Sequence, residues 1–387
     1  MSDKLIKLIL MSLLVFTPVA FGSMELWAFS LMELGILLII ILGALQNLIG
    51  QKSEFRNPCL TGRHAQSAIP LILLSLFLLL VLFQIFPLPS GILKTLSPKT
   101  YELRHQLLLT NDPLRMTPLS FVPFATRIEF FKWLALAGLF LFLLRWKVLH
   151  HSYRITGQLI VLILMVGVAE SLYGIFEFFS GHRHILHLDG SSLMGSVTGT
   201  FINRNYFAGY LLMVVPLSAG YLFSRGALQR GRSLGWRHWL SSLDGKTLLI
   251  AFGVIVMILG LLFSASRMGI LCLLLSFGLI SFLFRNPRKG EGVVSKTSVL
   301  IFVLALLWAL WIGLDAVFSR FFTASEDFKS RWMIWVNTFR ILQDYPLFGS
   351  GLGTFTQVFP MYRSFHIRGL VTHAENDFLQ LASEVGL

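Results

Sequence analysis

The sequence predicts an all-α polytopic membrane protein, and three features of its composition carry that prediction. Of its 387 residues, 55% are hydrophobic and only 13% are charged, whereas a soluble domain has about 25% charged residues. The mean hydropathy is +0.73. So much apolar surface cannot be hidden in one water-soluble core, and membrane-spanning helices satisfy their own backbone hydrogen bonds in lipid.

Nine apolar runs are long enough to span a bilayer as helices. They lie at about 5–22, 25–45, 68–86, 127–146, 155–179, 205–224, 247–265, 268–285 and 297–314. The first run has an alternative interpretation as a signal peptide, because Lys4 and Lys7 precede an apolar core and the small-residue stretch "AFGS". Both interpretations give the later spans the same orientation.

Basic residues alternate between the loops and therefore predict which side of the membrane each loop occupies. Five segments hold 17 of the 32 Lys and Arg residues: the N terminus and the loops at 46–67, 145–154, 224–246 and 285–296. The positive-inside rule makes these segments cytoplasmic. Contact with anionic lipids also accounts for the net charge of +13, so the sequence predicts membrane lipids and no nucleic acid as partners.

The opposite, extracytoplasmic side then carries loops 87–126 and 180–203, the short turn at 264–267, and the tail from about residue 315. Six prolines predict that loop 87–126 is irregular or built of short pieces. We divide the chain into N-terminal spans (1–190), a transmembrane core (191–314) and an extracytoplasmic helical segment (315–387) that holds the candidate active-site residues.

Arginines on this extracytoplasmic side are the first candidate binding residues. Arg267 lies between two apolar runs, and Arg331 is flanked by tryptophans. An arginine at the bilayer centre costs about 2.5–3.5 kcal/mol, and a guanidinium grips phosphate oxygens in bidentate fashion. Each arginine therefore binds an anion at the membrane surface or anchors its helix in the headgroup region. Arg204 fits a headgroup contact better, and its neighbours Asn203 and Asn205 either cap the sixth span or bind substrate hydroxyls.

The stretch "THAENDFLQLASEVGL" (372–387) is the second candidate. Thr372 and Glu375 have the spacing of a capping box, with the apolar residues Phe378, Leu381, Ala382 and Val385 following at helical intervals. This pattern predicts a helix with Thr372 as its N-cap. His373 would then lie in the first turn, where the helix dipole favours a neutral imidazole that can accept a proton.

Four stretches, in this order along residues 199–387, resemble the superfamily of O-antigen ligases and oligosaccharide polymerases (Wzy_C type). They are "GTFINRNYFAGYL", "SASRMGIL", "KSRWMIWVNTFRILQDYPLFGSGLGTF" and "THAENDFLQLASEVGL". "FPLPSGILKTLSP" (86–98) is similar to the external loop often found in these proteins. The resemblance implies a GT-C-like bacterial inner-membrane glycosyltransferase whose active site faces the periplasm. Because the family pattern usually continues into further spans, it also implies that C-terminal spans are missing.

Members of this superfamily transfer a glycan from undecaprenyl pyrophosphate to a lipid A core, another glycan or a protein hydroxyl. The resemblance therefore implies this lipid-linked donor and one of these acceptors for the present chain. It assigns pyrophosphate binding to Arg267 and Arg331. We add Arg204 as a third pyrophosphate candidate, and Asn203, Asn205 and Asn376 as candidates for substrate binding.

The identity of the general base is open at this point. The family has a catalytic histidine directly before an asparagine, and a glycine follows further on. Asn376 and Gly386 match that pattern, but Glu375 occupies the histidine position and His373 lies two residues upstream. Either Glu375 or His373 is the base. In a regular helix the two side chains would point about 200° apart, so both would not reach one substrate atom.

The sequence predicts no cofactor and no divalent metal, because the external segments contain no Asp-x-Asp pair. A ligase-type glycosyltransferase is the first hypothesis; a repeat-unit polymerase or a protein O-oligosaccharyltransferase is the second. A transporter of lipid-linked glycans is the rival from another class. It should bury polar groups near the bilayer midplane, where Glu170 and Glu177 are the main acidic residues, whereas the arginines are external.

Overall fold

A computed structural model of the chain describes residues 2–48, 65–108, 116–146, 153–181, 184–186, 188–189, 196–228, 244–283, 307, 328–366 and 369–387. Within these residues the chain is helical apart from loops and two very short strand pairs. The helices are α1 (Ser2–Val19), α2 (Leu26–Leu48), α3 (Ala65–Ile85), α4 (Ser90–Leu96), α5 (Pro98–Leu108), α6 (Pro123–Arg145), α7 (Tyr153–Ser180), α8 (Arg204–Leu228), α9 (Gly245–Phe263), α10 (Arg267–Leu283), α11 (328–344), α12 (Phe355–Tyr362) and α13 (Asp377–Val385).

Eight of the nine predicted spans coincide with helices, and the ninth, at 297–314, lies almost entirely outside the described residues. Leu26–Gln46, Ile155–Ser180 and Gly245–Phe263 are long and apolar enough to cross a membrane, and Ile69–Ile85 and Arg267–Ile280 are shorter apolar helices. The protein is thus all-helical with several apolar helices, as expected for a polytopic membrane protein. The count of nine spans, the GT-C-like arrangement and the orientation stay predictions.

The described part of loop 87–126 consists of short pieces, which confirms the expectation from its prolines. Helices α4 and α5 lie between two strands, β1 (Pro87–Leu88) and β2 (Thr117–Pro118). These strands pair antiparallel, with Pro87 opposite Pro118. A second antiparallel pair, β3 (His184–Ile185) and β4 (Leu188–Asp189), follows α7.

Contacts divide the chain into two compact units. Unit 1 comprises Met1–Phe55 and Trp146–Ala316, and unit 2 comprises Arg56–Arg145 and Val317–Leu387. Unit 2 thus combines α3–α6 with the tail, whereas unit 1 holds the other described helices. The division into 1–190, 191–314 and 315–387 was drawn from function and stays a prediction.

The core of unit 1 lies between α7, α8, α9 and α10. Its largest buried side chains include Phe207, Leu211, Met257 and Phe277. Glycines let α7 and α9 approach closely, as small residues do between membrane helices: a Cβ added at Gly260 would lie 2.9 Å from the Ser171 side chain. This packing holds the end of α9, which leads into the turn before α10.

Unit 2 is organised around the glycine-rich stretch 349–353, which packs against the end of α13. A Cβ added at Gly349 would lie 2.1 Å from the backbone carbon of Glu384, so only glycine fits. The buried Gln84 side chain, at the end of α3, donates from Nε2 to the carbonyl oxygens of Phe348 (2.7 Å) and Glu384 (2.8 Å). Its Oε1 accepts from the Leu352 N–H at 3.1 Å. These bonds hold α13 against the core of unit 2.

Candidate active site

The candidate residues of unit 1 form a polar cluster at the start of α8 and α10. Asn203 precedes α8 and caps it, because its Oδ1 accepts the backbone N–H of Asn205 at 2.8 Å. Of the two predicted roles, the structure therefore supports helix capping for Asn203. Arg204 is the first residue of α8 and is partly exposed. Its assignment to the pyrophosphate stays a prediction.

Asn205 joins the cluster to the turn before α10. Ser266 donates from its hydroxyl to Asn205 Oδ1 at 3.0 Å, and its Oγ accepts the Gly269 N–H at 3.3 Å. Ser266 is thus the N-cap of α10, a residue that the sequence analysis overlooked although Ser is a preferred N-cap. Arg267 follows as the first residue of α10 and is exposed. Two stretches 61 residues apart, at Asn205 and Ser266, therefore meet.

The candidate residues of unit 2 meet at the loop before α13. Arg331 Nη2 lies 3.5 Å from Glu375 Oε2, and the two side chains are 46% and 44% exposed. Such an exposed pair contributes about 0–1 kcal/mol to stability. The pair matters because of where it lies. It brings Arg331, the predicted phosphate-binding residue, next to Glu375, which stands where the resembled family has a histidine.

Arg331 also borders a cluster of aromatic rings on α11. Trp332 lies 6.2 Å from Phe328 and 6.4 Å from Trp335, measured between ring centroids. Trp332 and Phe328 are more than half exposed. Indole rings favour the headgroup level of a membrane. The cluster thus agrees with the interpretation of α11 as an interfacial helix, and the ion pair directs Arg331 toward the Glu375 loop.

The predicted capping box is wrong. Helix α13 begins at Asp377, and its N-cap is Asn376, whose Oδ1 accepts the Leu379 N–H at 3.2 Å. Asn is as good an N-cap as Thr, so the spacing of Thr372 and Glu375 was not decisive. Glu375 adopts a left-handed backbone conformation with φ +55°. His373 and Glu375 thus lie in the loop before the helix, and the helical argument that separated their side chains does not hold.

Ala374 anchors this loop and explains the exposure of its neighbours. It is fully buried among Ile334, Phe355 and Phe359, and its N–H donates to Gln380 Oε1 at 3.0 Å. His373 and Glu375, on either side, are exposed.

The buried face of α13 also differs from the prediction. Phe378 is 89% exposed and Leu381 is 44% exposed, whereas Ser383 and Glu384 are buried. The Glu384 carboxyl accepts the backbone N–H groups of Gly353 and Phe355, the latter at 3.0 Å. The helical face was assigned from hydropathy alone, but the hydrogen-bond donors at the start of α12 determine which side of α13 is buried.

Burial raises the pKa of Glu384 from its ordinary value of 4.5 to about 7, against the lowering effect of its backbone hydrogen bonds. Between these values the folded chain keeps a proton that the unfolded chain has lost. The free energy of unfolding should therefore fall by about 3 kcal/mol as pH rises from 4.5 to 7, and level off above pH 7.

This pH dependence can be measured by denaturant unfolding in detergent with Glu384→Gln and, as control, Glu102→Gln on α5, whose carboxylate is exposed. Glu384→Gln should remove the slope between pH 4.5 and 7, and Glu102→Gln should retain it. An unchanged slope in Glu384→Gln would show that Glu384 does not titrate in this window.

Residues 252–387 match the family model described as O-antigen ligase. The chain therefore contains an O-antigen ligase domain. This domain includes Arg267, Arg331, His373 and Glu375, whereas Asn203 and Asn205 precede it. Comparisons with curated proteins and with solved structures gave no match.

The described residues place the candidates of this domain, and of the segment before it, in two groups. Asn205, Ser266 and Arg267 are brought together in unit 1, and Arg331, Glu375 and the His373 loop are brought together in unit 2. The extracytoplasmic location of the four stretches stays a prediction, as do the individual roles. Among the described residues, no group of three or more His, Cys, Asp and Glu side chains could hold a metal ion.

Proposed function

We propose that the protein is a bacterial inner-membrane glycosyltransferase of the O-antigen ligase type. It transfers a glycan from undecaprenyl pyrophosphate to an acceptor hydroxyl on the periplasmic face. The observation that carries the proposal is the O-antigen ligase domain at 252–387, which holds Arg267 and the Arg331–Glu375 pair beside His373. The apolar helices support a membrane protein, as a lipid-linked donor requires.

The reaction needs positive charge at the leaving group. The acceptor oxygen forms a bond to the sugar C1 while the bond from C1 to the pyrophosphate oxygen breaks, and the pyrophosphate leaves with the electron pair. Arg267 and Arg331 supply guanidinium groups for these oxygens. The position of Arg267 at the N terminus of α10 supports this role, because a helix N terminus also favours negative charge.

The reaction also needs a group that takes the acceptor proton. His373 and Glu375 are exposed on the loop that Ala374 anchors, so both can meet an incoming hydroxyl. The carboxylate of Glu375 contacts Arg331, which gives Glu375 a role in holding that arginine. We therefore assign the proton acceptor to His373 first, with Glu375 as the competing candidate.

The rival function, transport of lipid-linked glycans, would use polar groups inside the spans. Glu170 is such a group, but its carboxylate accepts the N–H and hydroxyl of Thr200. These contacts give Glu170 a structural role. The arginines, by contrast, are exposed, as chemistry at the membrane surface requires. The balance favours a transferase.

The test is glycan transfer by the full-length protein in vesicles that contain an undecaprenyl-pyrophosphate-linked oligosaccharide. A lipid A core, a second lipid-linked repeat unit and a hydroxyl-bearing peptide are offered separately, and pyrophosphate-lipid release is measured together with product. We expect transfer to the lipid A core. Transfer only to a repeat unit or a peptide would identify the polymerase or the protein transferase instead. Movement of donor across the vesicle without transfer would overturn the proposal in favour of transport.

A further inference from the structure

Glu170 is a buried carboxyl group that the proposed chemistry does not use. It lies within α7, in the apolar stretch Ile155–Ser180, and is only 3% exposed. A buried carboxyl group is costly unless hydrogen bonds compensate for the lost water. Its hydrogen bonds therefore indicate what it does.

Within the described part of the chain, the hydrogen bonds of the Glu170 carboxyl group all go to one residue, Thr200. The Thr200 N–H donates to Glu170 Oε2 at 2.9 Å, and the Thr200 hydroxyl oxygen lies 2.9 and 3.0 Å from the two carboxyl oxygens. The same hydroxyl lies 2.9 Å from the carbonyl oxygen of Pro18 in α1. Glu170 thus fixes Thr200 between α7 and α1.

The backbone around Thr200 packs closely against the Glu170 carboxyl group. Gly199 has φ +57°, and a Cβ there would be 2.7 Å from Glu170 Oε2. A Cβ at Gly174, one helical turn along α7, would be 2.6 Å from the Gly199 nitrogen. Glycine at both positions permits the close approach. On the other side of the turn, the Val197 N–H donates to the carbonyl oxygen of Phe263 at the end of α9, at 3.1 Å.

This fixed turn leads directly into the polar cluster of unit 1. Three residues after Thr200, Asn203 caps α8, and Asn205 binds Ser266 immediately before Arg267. The position of the turn therefore determines where Asn203, Arg204 and Asn205 stand relative to the start of α10.

We propose that Glu170 is a positioning residue, which holds the 197–202 turn so that the Asn203–Asn205 segment and Arg267 form one binding surface for the pyrophosphate end of the lipid-linked donor. This role rests on the proposed function. Glu170 itself contacts neither donor nor acceptor. It acts through Thr200, and its effect should depend on the presence of Arg267.

The hydrogen-bond pattern identifies the conservative variant. In Glu170→Gln the amide oxygen can accept the Thr200 N–H, the amide nitrogen can donate to Thr200 Oγ1, and the Thr200 hydroxyl can donate to Pro18. Every partner is then satisfied. Glu170→Leu has a similar volume but removes all of these bonds. Thr200→Val removes only the hydroxyl and keeps the backbone bond.

The experiment measures the initial transfer rate against donor concentration for these three variants in the full-length protein, with Glu177→Leu as matched control. Glu177 lies on the same helix, seven residues further on, and no hydrogen bond among the described residues joins its carboxyl group to Thr200. Each of Glu170→Leu and Thr200→Val is also combined with Arg267→Ala, and thermal unfolding is recorded for all proteins.

We expect Glu170→Leu to lower the rate at limiting donor about 100-fold, as small misplacements of binding groups do, and Thr200→Val to lower it about 10-fold. Glu170→Gln should stay within about threefold of wild type. In the Arg267→Ala background both losses should nearly vanish, because interacting residues are not additive. If Glu170→Leu fails to fold, Thr200→Val carries the same double-mutant comparison.

Two results would overturn the positioning role while leaving the proposed function intact. One is wild-type rates in Thr200→Val and Glu170→Leu. The other is full additivity with Arg267→Ala, which would show that Glu170 stabilises the fold without acting through the donor site. By contrast, an absence of transfer by the wild-type protein with every acceptor would count against the proposed function, and then thermal unfolding alone would report on Glu170.

Discussion

Arg267→Ala and Arg331→Ala should each remove most glycan transfer in a full-length protein that still inserts into the membrane. Both arginines are exposed, Arg267 at the first residue of α10 and Arg331 on α11, so their loss should cost little stability. Removing one charged donor from a developing negative charge lowers a rate about 100- to 1,000-fold. The measurement is transfer from an undecaprenyl-pyrophosphate-linked glycan, with membrane insertion checked separately.

Matched controls separate a specific role from a general loss of positive charge. Arg340→Ala removes a second exposed arginine from α11, and Lys246→Ala removes an exposed cation from the start of α9. Neither residue belongs to the candidate site, and both variants should retain transfer. Arg331→Lys keeps the charge but loses the planar fork, so an intermediate rate is expected. Normal transfer by both Arg267→Ala and Arg331→Ala would exclude the pyrophosphate role of these residues.

Hydropathy predicted the helices well because the rule behind it is simple. A run of about 20 apolar residues buries its side chains in lipid and satisfies its own backbone. The runs at 25–45, 155–179 and 247–265 correspond closely to α2, α7 and α9. Proline likewise predicted the short pieces of loop 87–126, since it interrupts both helices and strands.

The local structure around the candidate base was predicted less well, because short polar motifs allow more than one register. Thr372 and Asn376 both precede apolar residues at helical spacing, and tertiary contacts selected Asn376 as the cap. Those contacts are the burial of Ala374 and the bonds from Glu384 to the start of α12. The bond between Phe355 and Glu384 joins residues 29 positions apart. A local sequence pattern therefore cannot predict such contacts.

The same limit applies to the polar cluster of unit 1. Loop charges predicted that 203–205 and 264–267 lie on the same side of the membrane, but the sequence did not show that Ser266 and Asn205 form a hydrogen bond. The sequence also did not show that Glu170, a residue that a transporter could use, binds Thr200. Residue type indicates which chemistry is possible, whereas the partner of each side chain follows from packing.

Comparing His373→Ala with Glu375→Gln should identify the general base. Loss of a general base lowers the rate about 10²–10⁴-fold, and it should do so at every acceptor concentration because the proton transfer itself is lost. Because we assign the proton acceptor to His373 first, we expect His373→Ala to show this loss of rate. Added imidazole should restore part of the rate in His373→Ala if the missing group is the proton acceptor. His366→Ala, which removes another exposed histidine of unit 2, should behave as wild type.

Glu375→Gln should affect a different quantity, because its carboxylate contacts Arg331 at 3.5 Å. Without the ion pair Arg331 is less well positioned, so the donor concentration for half-maximal rate should rise while the rate at saturating donor changes less. The reverse result, a loss from Glu375→Gln at all concentrations with normal rates in His373→Ala, would make Glu375 the base. Normal rates in both variants would place the base elsewhere. Because both residues lie in the loop before α13 and not on opposite sides of a helix, the two assignments differ only in chemistry, and this comparison separates them.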